Sequence, residues 1–265
     1  MAHSSCDEEG RVGGHNAECC AVGVCDGLYP VRRSFEDRLS SQQRMRVVVP
    51  FAATAPKTRL SPVLSPAERS RVAEAMLADV LTTLTETGHE ATILATTPVD
   101  LEEYDIDPDV LERVSVAVDE RPLTEAVNAR LGTDDPVAVV MADLALATPA
   151  ALERLFETEA DVAIAPGRGS GTNALVVRHP EFRVDYHGTS YLDHRERAQD
   201  VGASLETVDS FRLATDIDEP ADLVEVLVHG RDDARAPAVL RECGFELTET
   251  DGRVTVSRRE SNPSK

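Results

Sequence analysis

Lysine is almost absent from this chain: of 27 basic residues only Lys57 and Lys265 are lysines, against 48 acidic residues and a formal net charge of -21. So acidic a surface disfavours broad electrostatic attraction to nucleic acid or to an anionic membrane, and any phosphate site must be local. With 42% apolar residues in regular runs, the charge belongs to a folded surface and not to a disordered chain. Dense Asp and Glu with Arg in place of Lys reads as adaptation to high salt, where self-repulsion is screened. A GC-rich genome favouring Arg and Asp is the plainer alternative.

Long apolar runs are missing as well. None approaches the ~18 residues of a membrane-spanning helix, and the N-terminus has no charged-then-apolar signal pattern, so a cytoplasmic protein is expected. Cysteine is confined to Cys6, Cys19, Cys20, Cys25 and the isolated Cys243. His15 lies near three of them, but the spacing matches no familiar zinc motif. No GxxxxGK[ST] segment occurs, which excludes a P-loop.

Residues 1–44 differ from the rest. Per residue they are about half as acidic, rich in Gly and Cys, and without helical or strand period. They are expected to be disordered or a miscalled leader, with Met45 as the true start. The remaining chain suits one domain over 45–230, followed by an appendage over 231–265.

From Arg46 onward strand and helix signals alternate, which predicts a three-layer α/β/α domain on a mainly parallel, mixed sheet. "RVVVPF" opens it. The clearest helix is "SPAERSRVAEAMLADVLTTL", with Ser65 as N-cap, Pro66 at the first position and Glu68 closing a capping box. Val72, Met76, Leu77, Val80, Leu81 and Leu84 share a stripe expected to face the sheet. Further strands are read at 91–96, 114–120, 137–143, 161–167, 174–179 and near "SLETVDSF". Helices are read from Leu123, from Thr148-Pro149, from Ser190, over "DEPADLVEVLVHG" with Asp218 as cap, and over "APAVLRECG". The last run, "FELTETDGRVTVSRR", reads as a hairpin about Asp251-Gly252, packed on the sheet edge and without chemistry.

In open α/β sheets ligands gather beyond the carboxyl ends of the strands. Four loops there carry unusual residues. In "PFAATAPKTRLSP", Lys57 and Arg59 can grip a polyphosphate, Lys as a compact charge and Arg as a fork, unless they only answer nearby carboxylates. In "VMADLALATP", Asp143 ends an apolar strand, where a carboxylate serves a cleft or merely caps a turn. "GRGSGTN" lets backbone N–H groups approach an anion, although a plain hairpin needs glycine too. In "TDIDEP", Asp216 and Asp218 project from one side of an extended segment and, with Asp143, would suit a hard cation such as magnesium. Carboxylates for a metal and cations for phosphates favour nucleotidyl transfer over hydride or acyl chemistry.

Over residues 45–230 the ordered set "VPFAATAPKTRLSPVLSPAER", "VVMADLALATPAAL", "IAPGRGSGTNALVVR" and "DIDEPADL" resembles the 2-phospho-L-lactate guanylyltransferase family of deazaflavin coenzyme biosynthesis. The resemblance implies a GT-A-like nucleotidyltransferase fold. It implies nucleotide contacts from Pro50, Lys57, Arg59, Leu123 and Asn128, and catalysis by Lys57, Arg59 and Asp143. It places Mg2+ on Asp143, Asp216 and Asp218, and the acceptor at Thr172, Gly188 and Ser190. Thr124 stands where the family has Asn, and Ala145 where it has Pro. The implied partners are GTP and a small phosphorylated hydroxy acid, with no nucleic acid and no membrane; oligomeric state stays open, a homodimer included. The rival readings are a nucleotidyltransferase for another acceptor (phosphoenolpyruvate, 3-phosphoglycerate, a cofactor or sugar phosphate) and a non-catalytic nucleotide-binding protein. His187 and His194 receive no role, because a phosphate nucleophile is already ionised near neutrality.

Overall fold

The computed structural model describes residues 45–133, 135–250 and 252–259. The readings made for 1–44, including the cysteine-rich stretch, lie outside these residues. So does Asp251, and with it the expected turn chemistry.

In chain order the elements are β1 (Arg46–Phe51), α1 (Pro66–Glu86), β2 (Ala91–Ala95), α2 (Pro108–Leu111), β3 (Val114–Val118), α3 (Leu123–Asn128), β4 (Val137–Val140), α4 (Pro149–Phe156) and β5 (Val162–Pro166). There follow β6 (Thr172–Val177), α5 (Ser190–Asp200), β7 (Leu205–Thr207), α6 (Phe211–Ala214), α7 (Leu223–His229), α8 (Arg235–Glu242), β8 (Phe245–Thr250) and β9 (Arg253–Arg258). Seven strands among the described residues form one sheet in the order β3-β2-β1-β4-β6-β5-β7. Only β6 opposes its neighbours, pairing antiparallel with β4 and β5. The carboxyl ends of the six parallel strands therefore share one edge with the beginning of β6.

Strand alternation divides the core in two. Val47, Val49, Ala138, Val140, Ala163 and Val176 bury one face of the sheet with residues of α1, α4 and α6. Val48, Val137, Val139, Ile164 and Leu175 bury the other with Ala126 and Val127 of α3 and Ala198 of α5. Both faces are covered, which explains why β4 and β6 are buried throughout and β4 is wholly apolar. This is the expected three-layer α/β/α arrangement with a mixed, mainly parallel sheet.

The Ser65 capping box is present: Ser65 Oγ accepts from Glu68 N–H, and the Glu68 carboxylate accepts from Ser65 N–H at 2.8 Å. The helix it starts departs from expectation in one respect. Leu77, Val80, Leu81 and Leu84 face the sheet, whereas Val72 and Met76 belong to a third cluster with Leu227 of α7, Leu240 of α8 and Phe245 of β8. The C-terminal helices and hairpin cover this second side of α1. The hairpin thus packs on helices, not on the sheet edge, and Arg258 clasps it to Val63 O and to Glu68. Asp79, buried on the same side of α1, accepts from the backbone N–H groups of Arg235 (2.7 Å) and Ala236 (2.9 Å), and so caps the start of α8. No described helix is long and apolar enough to cross a membrane.

Candidate active site

The loop after β1 is held by a short 3-10 turn, Thr58–Leu60, whose Leu60 is fully buried. Ahead of it Ala55 (φ 47°) and Lys57 (φ 53°) both adopt the left-handed region, at roughly 1 kcal/mol or more each for a side-chain-bearing residue. This backbone turns Lys57 inward. Its Nζ donates to Asp143 Oδ2 at 2.6 Å and to Asp218 Oδ1 at 3.0 Å. Arg59 Nη1 donates to Asp218 Oδ2 at 2.6 Å. Residues from three separate loops meet at the carboxyl edge of the sheet, as the strand-end rule requires.

Asp143 lies three positions beyond β4, not within it. Its backbone carbonyl accepts from Ile217 N–H at 3.2 Å, which fastens the β4 loop to the "TDIDEP" segment. Ile217 is fully buried, so Asp216 and Asp218 flank an anchored residue. Asn173 of β6 adds a second fastening by donating to Leu213 O and to Asp216 Oδ1. Asp218 does not cap the following helix. Its own N–H and that of Glu219 donate to Asp222 Oδ2, and Glu219 is the N-cap of the turn Pro220–Asp222. The capping work passes to Asp222, and the Asp218 carboxylate is left for the two cations.

Burial raises the Asp143 carboxyl above its ordinary range; Lys57 opposes the rise, and Asp216 and Asp218 add to it. Burial would lower Lys57, but Asp143 and Asp218 outweigh it and hold the ammonium above its usual value. Asp143 Oδ1 is buried without a hydrogen-bond partner. An unpartnered carboxylate oxygen beside two further carboxylates is a place where a cation would be stabilised.

All of these groups but Asp216 lie along a cleft of about 480 Å³, within the usual size of a small-ligand site. Pro50, Lys57, Arg59, Leu123, Asp143 and Asp218 line it. Asn128 does not. Its amide is spent on the backbone of Val184, donating to the carbonyl at 3.0 Å and accepting from the N–H at 2.8 Å, so it fixes the 184–186 segment against α3.

Thr172 and Ser190 are both buried, and they line no part of this cleft. Thr172 Oγ1 pairs with His194 Nδ1 at 2.9 Å. Because His194 Nε2 accepts from Asp185 N–H at 2.8 Å, the ring proton must sit on Nδ1 and be donated to Thr172. Burial holds this imidazole down, to about 4. Gly188 has φ 55° just before α5, and Tyr191 N–H donates to Ser170 O at 3.1 Å. The acceptor candidates therefore gather about the β5–β6 turn, which closes through Gly167 N–H to Gly171 O at 2.9 Å. A Cβ on Gly167 would come within 2.5 Å of Asn173 Oδ1, so glycine there protects the residue that fastens Asp216.

Two cleft residues escaped the sequence reading: Asp119, just past β3, and Arg121. Arg121 donates from Nε to Asp119 Oδ1 at 2.8 Å and from Nη2 to Oδ2 at 2.6 Å, while Arg130 Nη1 reaches Oδ2 at 3.1 Å. Hydrogen bonds from Arg121 hold the Asp119 carboxyl well below the usual carboxylate range. Asp followed two residues later by Arg-Pro at a strand end was the available signal. It reads equally as an Asx turn, which it also is, since Arg121 N–H donates to Asp119 Oδ1.

Comparison with known proteins agrees with this architecture. The family described as "Guanylyl transferase CofC like" matches residues 45–259. A 2-phospho-L-lactate guanylyltransferase of Haloterrigena turkmenica is 71% identical over 231 residues, covering 83% of this chain and 100% of its own. That of Natrialba magadii is 63% identical, covering 82% and 100%, and that of Haloquadratum walsbyi 37% identical, covering 82% and 99%. Among solved structures, a putative nucleotide-diphospho-sugar transferase from Desulfovibrio desulfuricans superposes with TM-score 0.62 at 16% identity, covering 75% of this chain and 94% of that one. That likeness shows a shared fold.

Proposed function

The chain belongs to the CofC-like guanylyltransferase family, and from that membership we propose that it transfers GMP from GTP to 2-phospho-L-lactate. It is a nucleotidyltransferase. The proposed products are lactyl-2-diphospho-5'-guanosine and pyrophosphate, in the synthesis of a deazaflavin redox coenzyme.

The observation that carries this reading is the junction of Lys57 and Arg59 with Asp143 and Asp218 in one cleft. A phosphate oxygen of the acceptor bonds to the α-phosphorus of GTP, and the bond from that phosphorus to the bridging oxygen of pyrophosphate breaks. The acceptor phosphate has its second pKa near ~6, so the nucleophile needs no general base. The difficulty is repulsion between two polyanions. Lys57 and Arg59 meet it by donating to oxygens that gain charge as pyrophosphate departs.

Magnesium fits the acidic group in a particular way. Among the described residues no three acidic, His or Cys side chains form a ready cage, but Mg2+ typically takes one or two carboxylates and completes its shell with substrate phosphates and water. Asp143, with its unpartnered Oδ1, Asp216 and Asp218 would hold it. The ion would supply charge neutralisation between the phosphates.

We also infer adaptation to high salt. The net charge of -21 with two lysines supports this reading, as does the origin of the matched relatives in halophilic archaea.

The test is to incubate the purified protein with magnesium, each NTP, and 2-phospho-L-lactate, phosphoenolpyruvate or 3-phosphoglycerate, and to measure pyrophosphate. Release with GTP and 2-phospho-L-lactate above all other pairs is expected. Release with GTP and none of the three acids overturns the substrate assignment.

A further inference from the structure

The cleft has two chemically different ends. Lys57, Arg59 and Asp143 follow β1 and β4 and are met there by Asp218, whereas Thr96, Asp119 and Arg121 follow β2 and β3. In the sheet order β3 lies three strand spacings from β4, or about 14 Å at the usual spacing. If the triphosphate occupies the first end, the base falls near the second.

That second end holds a half-exposed guanidinium in a fixed plane. Asp119, whose side chain is only 7% exposed, grips Arg121 side-on through Nε and Nη2. Arg130 braces the same carboxylate from behind. A guanidinium carries five N–H donors. The side-on grip uses the Nε hydrogen and one Nη2 hydrogen. Both hydrogens of Nη1 and the other of Nη2 remain, and one from each nitrogen forms a parallel fork on the end of the group. Leu94 and Leu123 supply apolar surface in the same cleft, on which a ring can lie.

We propose that Arg121, held in plane by Asp119, selects the base by donating this fork to two adjacent acceptors, the O6 and N7 atoms of guanine. The assignment rests on the guanylyl-transfer reading above and names its specificity-determining residue. Adenine places a donor, its N6 amine, where guanine has O6. On the corresponding edge cytosine presents its N4 amine and uracil the single carbonyl O4, so neither offers the pair there. Asp119 is a positioning residue that acts through Arg121.

Nucleotide binding to the full chain, measured by calorimetry with GTP, ATP and 7-deaza-GTP, tests this without relying on turnover. 7-Deaza-GTP keeps O6 but lacks the N7 acceptor. The native protein should bind GTP roughly 10-fold more tightly than either competitor, the scale of a bidentate Arg–guanine pair. Arg121→Gln should lose roughly 10-fold for GTP and bind GTP and 7-deaza-GTP alike. Arg121→Lys, which keeps the charge without the fork, should also lose the distinction between them. Equal binding of GTP and 7-deaza-GTP by the native protein overturns the proposal, as does a preference that survives both substitutions. In those outcomes GTP still binds, and the guanylyl-transfer reading stands. If no nucleotide binds at all, that reading falls and this assignment with it.

Discussion

Lys57 Nζ stands 2.6 Å from Asp143 Oδ2, joining the loop after the first strand to the loop after the fourth across 86 positions of sequence. An ammonium has three donors. Two are committed, to Asp143 and Asp218, and the third is free for a phosphate oxygen. The lysine is thereby held in place before substrate arrives, and its position does not have to be found at the moment of reaction.

Replacing that lysine tests whether it is catalytic machinery or only a counter-ion. Lys57→Met should lower turnover by roughly 100-fold or more, the scale of losing a transition-state donor. It should also destabilise the fold by about 2 kcal/mol or more, because Asp143 is left partly buried beside two carboxylates. Paired kinetics and urea melts check both. Full activity in a destabilised variant would reduce Lys57 to a structural role.

The buried His194 makes stability depend on pH. Its folded pKa is about 4, against 6.5 for the unfolded ring, so the unfolded state binds the extra proton first. The contribution is complete above pH 6.5, is lost as pH falls from 6.5 towards 4, and is level below that. Its size is on the order of 3 kcal/mol. Urea unfolding of the native protein and of His194→Gln at pH 7.5, 6 and 5 should show the two curves converging as pH falls. A constant gap across that range would contradict the neutral, buried imidazole.

Asp79 offers a purely structural prediction. Asp79→Ala strips the acceptor from two backbone N–H groups at the start of α8 and should cost about 1–3 kcal/mol. Chemical denaturation measures it. Hydrogen exchange should quicken first in α8 and the C-terminal hairpin, and uniform acceleration through the sheet would argue against a local cap.

The acidic surface predicts a salt response. The melting temperature should rise between low and molar KCl as repulsion within the net charge of -21 is screened. A thermal scan across KCl concentrations checks this, and insensitivity to salt would leave the composition without a physical consequence for the fold.

Features encoded by neighbours in sequence were legible. Ser65 with Glu68, Thr148 ahead of Pro149, and the strand ends carrying Lys57, Asp143 and the Asp216–Asp218 pair all announce themselves within a few residues. The rest was not legible because a distant segment decides it. Whether Val72 and Met76 face the sheet depends on α7, α8 and β8, which cover them. Asn128 is removed from the cleft by Val184, 56 residues away. Asp218 is free to meet Lys57 because Glu219 takes the N-cap position and Asp222 reaches back to the N–H groups of Asp218 and Glu219. The Asp119–Arg121 clamp was local yet silent, since the same spacing makes an ordinary turn and only the sheet order puts it in the cleft.

The most direct test of the account is the rate of pyrophosphate release by Asp143→Asn with GTP, magnesium and 2-phospho-L-lactate, compared with the native protein. The substitution keeps size and shape while removing the charge between Lys57 and the unpartnered Oδ1 position. A folded variant with turnover reduced by roughly 100-fold or more is the expected result. A folded variant turning over at the native rate would contradict the placement of the chemistry at Asp143.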